Sequence, residues 1–280
     1  RHGPAQGFAV KRIVICADDY GIAPGVSEAI RALLSERRIN ATSVMTVLPD
    51  LLEEADALLP MTGGQASIGL HLTLTGNFEP LTHGFRGATF PSLSKLMALA
   101  FARRLDPVNV KAEVETQFMA FEEAFGRAPD HVDGHQHVHL LPIVREAVLD
   151  VTRRRAPNAW VRDCTPAAGA LKGLDPKGRF IGALARGLAE QAAAAGLATN
   201  RGFAGAYNFK VGTNYGRILT HFLAALGDGG LVMVHPGHVD DALRARDPLT
   251  GPREAEYDVL AGAALPQILC TTPRSVVTCD

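Results

Sequence analysis

The sequence predicts an α/β fold, a single (β/α) barrel of about seven parallel strands with helices outside. Three observations favour it. Short, continuous apolar segments alternate with segments of helical periodicity. Polar side chains follow the ends of several apolar segments, as they do at the catalytic face of a barrel. The chain has 280 residues, of which 47% are hydrophobic, and one barrel commonly takes this length. We expect a flexible N-terminus over 1–10 and one barrel domain over 11–280.

Seven apolar segments are predicted to be strands. The first, residues 12–17, is apolar without alternation, which is typical of a strand buried on both faces of a parallel sheet. The others are residues 41–48, 67–72, 129–134, 159–162, 203–206 and 230–235. The doubly wound nucleotide-binding folds are disfavoured because no Gly-rich phosphate-binding motif follows the first strand.

The segments between the strands predict helices that cover the sheet. Pro24 suits the first turn of the first helix. The predicted helices are residues 24–38, 49–59, 110–125, 142–155, 180–196, 215–226 and 254–264. Residues 73–107 look loop-rich and are predicted to form part of a lid. Their apolar side chains are expected to pack this segment onto the barrel, with an apolar mouth for a lipid-linked substrate as the alternative; they are Phe78, Phe85, Phe90 and Leu93.

Composition excludes several functional classes. The formal net charge is −1, and no long basic run is present, so no nucleic acid partner is expected. No apolar run reaches about 18 residues, so we expect no membrane span. The polar start of the chain predicts no signal peptide, and the four cysteines form no CxxC pair. A cytoplasmic protein with reduced cysteines is the resulting expectation.

Two adjacent carboxylates, Asp18 and Asp19, come directly after the first apolar segment. One could bind a metal while the other acts as a base. A solvated turn or a helix N-cap is the simpler interpretation of a single Asp in such a place. Two of them after a fully apolar strand favour a functional site.

Histidines form the second notable feature, because four of the ten lie within residues 131–139. His135, His137 and His139 would share one side if the strand continued, although alternation breaks down at a strand end. Asp133 could orient a ligand imidazole by accepting its second N–H. A histidine-rich loop with adventitious metal affinity is the alternative.

Three further polar residues lie at the C-terminal ends of predicted strands. A lone His71 is more often a core residue than a ligand, but its position at a strand end makes it a metal-ligand candidate. Arg162 could pair with a carboxylate and keep it ionised. His235 could be a general acid, and we favour it over His238 because it lies closer to the strand; a simple Pro-Gly turn is the other interpretation.

Two histidines, one aspartate and water form a common ligand set for Zn²⁺, and with more water for Mn²⁺, Fe²⁺, Co²⁺ or Ni²⁺. No GxSxG motif is present, so attack by metal-activated water is the economical mechanism. Two alternatives stay open. One is another metal-dependent hydrolase, such as a phosphoesterase; the other is a non-catalytic sugar-binding barrel.

Four motifs, in this order, resemble the YdjC-like carbohydrate deacetylases, which include chitooligosaccharide deacetylases and hopanoid-biosynthesis deacetylases. The matching motifs are ADDYG at 17–21, GLHL at 69–72, DGHQHVH at 133–139 and HPG at 235–237. The resemblance covers roughly residues 11–270, and the first and third motifs carry most of its specificity.

The resemblance implies a seven-stranded barrel that removes the acetyl group from an N-acetylated sugar, either an oligosaccharide or a glycolipid head group. It implies that Asp19, His71 and His135 bind one divalent metal, Zn²⁺ or Mg²⁺ foremost. Asp18 would be the base and His235 the acid. Peripheral contact with a lipid-linked substrate and a homodimer are both compatible with it.

Overall fold

The computed structural model describes residues 11–62, 66–85, 87–167, 176–210 and 212–263. These residues form an α/β structure with eight parallel strands. The strands are β1 (Ile13–Tyr20), β2 (Ala41–Val44), β3 (Ser67–Leu72), β4 (His131–Gly134), β5 (Trp160–Val161), β6 (Ala198–Thr199), β7 (Phe203–Ala204) and β8 (Gly230–Val234).

Ten helices accompany the strands in the described part of the chain. They are α1 (Pro24–Ser35), α2 (Leu51–Thr62), α3 (Leu93–Phe101), α4 (Pro107–Phe125), α5 (Val144–Arg155), α6 (Pro176–Ala185), α7 (Leu188–Ala194), α8 (Tyr215–Ala225), α9 (Asp241–Arg246) and α10 (Gly251–Ala261). None of these helices is both long and apolar enough to cross a membrane.

The strands pair in the order β6-β5-β4-β3-β2-β1-β8-β7. The ring is completed beyond β5, where Phe203 N–H of β7 donates to Thr165 O at 3.0 Å and Ala167 N–H donates to Phe203 O at 3.0 Å. Seven strands therefore enclose the barrel interior, and β6 lies beside β5 as an additional strand. This two-residue strand was absent from the seven predicted, because Ala198–Thr199 carries no apolar run.

One predicted helix and one predicted loop are corrected by the structure. The alanine-rich segment 180–196 is not one helix, because Gly187 at φ 80° separates α6 from α7; a left-handed residue interrupts the helical hydrogen bonding there. The segment 73–107 is also more regular than predicted, since it contains α3, which begins after Ser92. The Ser92 side chain caps α3 by accepting from Lys95 N–H at 3.4 Å.

The packing of the three phenylalanines in residues 73–107 agrees with the simpler expectation. Phe78 and Phe90 are buried in the main core, and Phe85 is partly buried against it. Phe85 and Phe90 meet edge to face at 5.1 Å between ring centroids. These three rings therefore attach the segment to the barrel and do not form an open apolar mouth.

Alternation along β1 decides which side chains face the barrel interior. Ile13 and Ile15 join the core beneath the helices, while Val14 and Cys16 join an inner cluster with residues of β8 such as Met233. A strand turns successive side chains to opposite faces, so Asp18 continues the inner row. Cys16 is fully buried, as expected for a small apolar residue, and Cys16 and Cys164 are free thiols; Cys270 and Cys279 lie outside the described residues.

Candidate active site

Asp18 and Asp19 face the same cavity although they are sequence neighbours. The β1–β2 register shifts between Ala17 and Tyr20, and Asp19 has a left-handed backbone at φ 68°. A bulge of this kind redirects one side chain of a strand. Both carboxylates consequently line one cavity at the C-terminal ends of the strands, where regular alternation would have sent them to opposite sides.

Two imidazoles meet at Asp19. His71 Nε2 lies 3.1 Å from Asp19 Oδ1, and His135 Nδ1 lies 2.8 Å from the same oxygen. Ligand atoms of Asp19, His71 and His135 all lie within 4.8 Å of one another, and all three residues are buried. The structure thus brings together the three residues that the family resemblance implied as metal ligands, from β1, β3 and the segment after β4.

Asp133 orients the first of these imidazoles. Its Oδ1 lies 2.6 Å from His71 Nδ1, so the other ring nitrogen, Nε2, points to Asp19. Burial disfavours a charged His71, but Asp133 more than offsets burial and raises the pKa of His71 to about 10. Burial alone would raise the pKa of Asp133, yet Arg162 and His71 hold it well below its usual range.

Arg162 lies fully buried between two carboxylates. Its Nη1 and Nη2 donate to the two oxygens of Asp18 at 2.6 Å each, and Nη2 also forms an ion pair with Asp133. The predicted pairing of Arg162 with a carboxylate is therefore present. Ser43 donates a 2.5 Å hydrogen bond to Asp133 Oδ2, so Asp133 is held by both Ser43 and Arg162.

The histidine-rich segment does not continue as a strand. It turns into a short 3-10 segment, His135–Leu140, in which Gln136 and His137 have φ of 54° and 61°. The turn separates the three histidines. His135 reaches Asp19, His137 lies at the cavity wall, and His139 Nε2 lies 3.0 Å from Arg162 O. Neither His137 nor His139 belongs to a ligand group among the described residues.

Burial keeps the remaining histidines of this segment neutral. It lowers the pKa of His139 to about 3 and that of His131 to about 4. His131 is fully buried and stacks on Trp160 with ring centroids 4.4 Å apart. His131 is accordingly a core residue, the usual fate of a histidine on an apolar strand.

His235 lies at the end of β8 and lines the same cavity as Asp18 and Asp19. Its backbone N–H donates to Glu256 Oε2 at 2.6 Å, and Phe209 meets its ring edge to face at 5.4 Å. Burial lowers the pKa of His235 to about 4. Its ring is therefore neutral at pH 7 in the absence of substrate.

Three charged residues near α10 complete the site and were missed by the sequence interpretation. Arg253 Nη2 donates to Asp19 Oδ2 at 2.6 Å and to Asp247 Oδ2 at 2.7 Å. Burial alone would raise the pKa of Asp19, but Arg253 and then His135 hold it well below its usual range. Glu256 is buried and also accepts from Tyr207 Oη at 2.7 Å.

The cavity measures about 450 Å³, within the usual size of small-molecule sites. Its floor is polar and contains the residues described above. Its walls are largely apolar, with side chains from α3 and α6 on the two sides and from the 209 and 249 regions: Leu93, Met97, Phe180, Ile181, Leu184, Phe209 and Leu249.

The fold and this site together define a (β/α)-barrel protein with a buried histidine–aspartate centre at the C-terminal ends of its strands. The chain belongs to the YdjC-like protein family, whose family model matches residues 12–271. That assignment agrees with the resemblance carried by the four sequence motifs.

The chain is also similar to named proteins. A chitooligosaccharide deacetylase of Yersinia pestis is 30% identical over 154 residues, and a chitooligosaccharide deacetylase of Yersinia pseudotuberculosis shows the same identity. The match covers 52% of this chain and 57% of the relative, so it spans only about half the length of either protein.

Solved structures show the same fold. A proposed cellobiose-phosphate cleavage protein of Enterococcus faecalis superposes with a TM-score of 0.73 at 20% identity, covering 96% of this chain and 98% of that one. A peptidoglycan N-acetylglucosamine deacetylase superposes with a TM-score of 0.53 at 10% identity, covering 96% and 86%. The predicted deacetylase-type barrel fold is confirmed by these likenesses.

Proposed function

We propose that this protein is a metal-dependent hydrolase that removes the acetyl group from an N-acetylated sugar. One observation carries the proposal. The donor atoms of Asp19, His71 and His135 lie within 4.8 Å of one another in a cavity that Asp18 and His235 also line. The similarity to chitooligosaccharide deacetylases over about half of the chain supports the choice of an acetamido sugar.

The donor set fits one divalent metal. One carboxylate and two imidazoles leave coordination positions for water and substrate, as in catalytic zinc sites. Imidazole suits Zn²⁺ and the neighbouring transition metals, whereas Mg²⁺ prefers oxygen ligands. Of the two metals expected foremost, the donors therefore favour Zn²⁺ over Mg²⁺. When bound, the metal polarises the acetyl carbonyl and lowers the pKa of water.

Asp18 and His235 divide the proton transfers. Asp18 accepts a proton from the attacking water as the water oxygen bonds to the acetyl carbon. His235 supplies a proton to the sugar nitrogen as the carbon–nitrogen bond breaks. The products are acetate and the free amine, so one water is consumed for each amide cleaved.

The neutral resting state of His235 constrains this scheme. Because burial lowers its pKa to about 4, the imidazole takes up its second proton from solvent only after negative charge develops on the substrate, and Asp18 afterwards returns the proton of the attacking water to solvent. A buried base of this kind gains proton affinity when an anion forms beside it. His235 is thus charged only during turnover, when the leaving nitrogen needs the proton.

Arg162 argues against a two-metal phosphoesterase. Phosphoryl hydrolases with paired metals bridge two ions about 3.5–4 Å apart with shared carboxylates. Asp18 and Asp133 form a second possible ligand group together with His71, and Arg162 pairs with both of these carboxylates. A second cation there would face the guanidinium. A non-catalytic sugar-binding role is less economical, since it leaves Asp18 and His235 without a purpose in the cavity.

The acceptor is proposed to carry an apolar group beside its acetamido sugar. Aliphatic side chains from α3 and α6 flank the polar floor, including Leu93, Met97 and Leu184, and Phe180 is 46% exposed beside them. Burying apolar ligand surface against apolar walls makes the free energy of binding more favourable. A glycolipid head group with its lipid along these walls fits better than a fully hydroxylated oligosaccharide.

Acetate release tests the proposal. The purified chain would be freed of metal, reloaded with Zn²⁺, Mg²⁺, Mn²⁺ or Co²⁺, and incubated with N-acetylated oligosaccharides and glycolipids. We expect acetate only from reloaded protein, with glycolipids preferred. Asp18→Asn should abolish turnover while Zn²⁺ still binds. Undiminished activity after chelation, or near-normal turnover of Asp18→Asn, would show that the mechanism is wrong.

A further inference from the structure

Arg253 is a fully buried cation that bridges two carboxylates at the edge of the candidate metal site. Its Nη2 donates to Asp19 Oδ2 at 2.6 Å and to Asp247 Oδ2 at 2.7 Å, and its Nε donates to Leu249 O at 2.7 Å. Its exposure is 0%. A buried charge is tolerated only when it is paired and hydrogen-bonded. Nε and Nη2 of Arg253 meet these conditions, while its Nη1 has no hydrogen-bond partner among the described residues.

The contact gives the two carboxylate oxygens of Asp19 different partners. Oδ2 accepts from Arg253, while Oδ1 faces His71 Nε2 at 3.1 Å and His135 Nδ1 at 2.8 Å. A free carboxylate can offer a metal one oxygen or both. Here the guanidinium already holds Oδ2, so only Oδ1 points toward the two imidazoles.

Asp247 balances the charge. A lone arginine beside Asp19 would compete directly with a divalent cation for that carboxylate. Asp247 accepts from the same guanidinium nitrogen, so the three side chains of Asp19, Arg253 and Asp247 carry a net charge of −1. That charge remains available to a cation on the Oδ1 side, and Arg253 contributes orientation without making the site repulsive.

The first two turns of α10 also contact the segment after β8, which contains His235. Arg253 O accepts from Gly237 N–H at 3.2 Å. Glu256, three residues further along α10, accepts from His235 N–H at 2.6 Å. Residues three apart lie on one helix face. Helix α10 therefore holds Asp19 through the Arg253 side chain. It holds the segment after β8 by accepting from the backbone N–H groups of His235 and Gly237.

We propose that Arg253 is a positioning residue that holds Asp19 as a one-oxygen metal ligand. The inference rests on the proposed metal-dependent function and adds to it a residue that touches neither metal nor substrate. Arg253 is required because it prevents the Asp19 carboxylate from rotating and because its planar fork reaches three acceptors at once. Lysine cannot reproduce this geometry.

The test measures Co²⁺ binding to the purified full chain by calorimetry and by visible absorption, which reports the coordination of the ion. Arg253→Gln should bind Co²⁺ 10- to 100-fold more weakly, the usual cost of losing a residue that orients a ligand, with a changed spectrum. Arg253→Lys keeps a charge and should show a smaller loss with a changed spectrum. Arg155→Gln breaks a partly exposed ion pair between α5 and Glu122 of α4 and should leave both readouts unchanged.

Wild-type affinity and spectrum in Arg253→Lys would overturn the proposal even if Arg253→Gln failed to fold, because lysine preserves the charge and loses only the fork. Acetate release is measured on the same samples. Co²⁺ binding that depends on Arg253, without acetate from any N-acetylated sugar, would reject deacetylation and still support the positioning role of Arg253. Acetate release with unaltered Co²⁺ binding in both variants would support deacetylation and reject the positioning role of Arg253.

Discussion

Arg162 holds both carboxylate oxygens of Asp18 at 2.6 Å, through Nη1 and Nη2. This bidentate pairing fixes the plane of the carboxylate proposed as the base. The same guanidinium pairs with Asp133, which in turn orients His71. One arginine thereby couples the proposed base to the proposed metal ligands.

Replacing Arg162 with alanine should destabilise the fold. The substitution leaves Asp18 and Asp133 buried without their shared cation, and an uncompensated buried charge typically costs about 3–5 kcal/mol. We expect the free energy of unfolding, measured by urea denaturation, to fall by about that amount. Arg154→Ala, which removes an exposed ion pair with Glu115, is the matched control and should change it by less than about 1 kcal/mol. Equal effects of the two substitutions would contradict the interpretation.

Asp133→Asn should weaken metal binding without removing a ligand. The carboxylate accepts from His71 Nδ1 at 2.6 Å and so fixes which ring nitrogen faces Asp19. Losing such a partner commonly costs 10- to 100-fold in metal affinity. Titration with Zn²⁺ would measure it. Ser43→Ala removes a hydroxyl that donates to Asp133 Oδ2 and also contacts His131 and Arg162, but it leaves the Asp133–His71 contact in place and should have a much smaller effect; an equal loss in the two variants would argue against a role in orienting His71.

His235→Gln should separate catalysis from metal binding. His235 lines the cavity but does not belong to the ligand group of Asp19, so Zn²⁺ affinity should stay unchanged. Loss of a general acid typically lowers kcat by 10²- to 10⁴-fold. Steady-state acetate release with His238→Gln as the control measures this, because His238 is exposed and packs on Tyr257. A kcat close to that of the wild type would remove His235 from the mechanism.

Most strands were predictable from local sequence. Apolar runs located seven of the eight, and the positions of Asp19, His71 and His135 at the C-terminal ends of three of them indicated a common face. Parallel strands place their C-terminal ends together, so positions along the chain predicted one shared face. The resemblance to the YdjC-like motifs then selected Asp19, His71 and His135 among the candidates on that face.

The partners of that cluster were harder to predict. Arg253 lies 234 positions from Asp19 in the sequence, and nothing in the segment 247–256 distinguishes a buried ion pair from an ordinary solvated helix start. The bulge that turns Asp19 toward Asp18 was equally hidden, since it depends on a register shift against β2. Pairings between distant segments are set by the assembled barrel and leave no periodic signal.

Glu256 should make the stability of the protein depend on pH. Burial raises the pKa of Glu256 from 4.5 to about 7, so the folded state holds this proton more tightly than the unfolded state does. The contribution to stability is therefore complete below about pH 4.5 and is lost as the pH rises to about 7. A shift of this size corresponds to roughly 3 kcal/mol.

Glu256→Gln isolates that contribution. Glutamine can accept from His235 N–H and donate to Tyr207 Oη, so both hydrogen bonds of Glu256 have a counterpart, but the side chain does not ionise. We expect the free energy of unfolding of the variant, relative to wild type, to rise by about 3 kcal/mol between pH 4.5 and pH 8. Urea denaturation at several pH values measures the difference, and groups common to both proteins cancel in it. A constant difference across that range would mean that Glu256 ionises at its ordinary pKa in the folded protein.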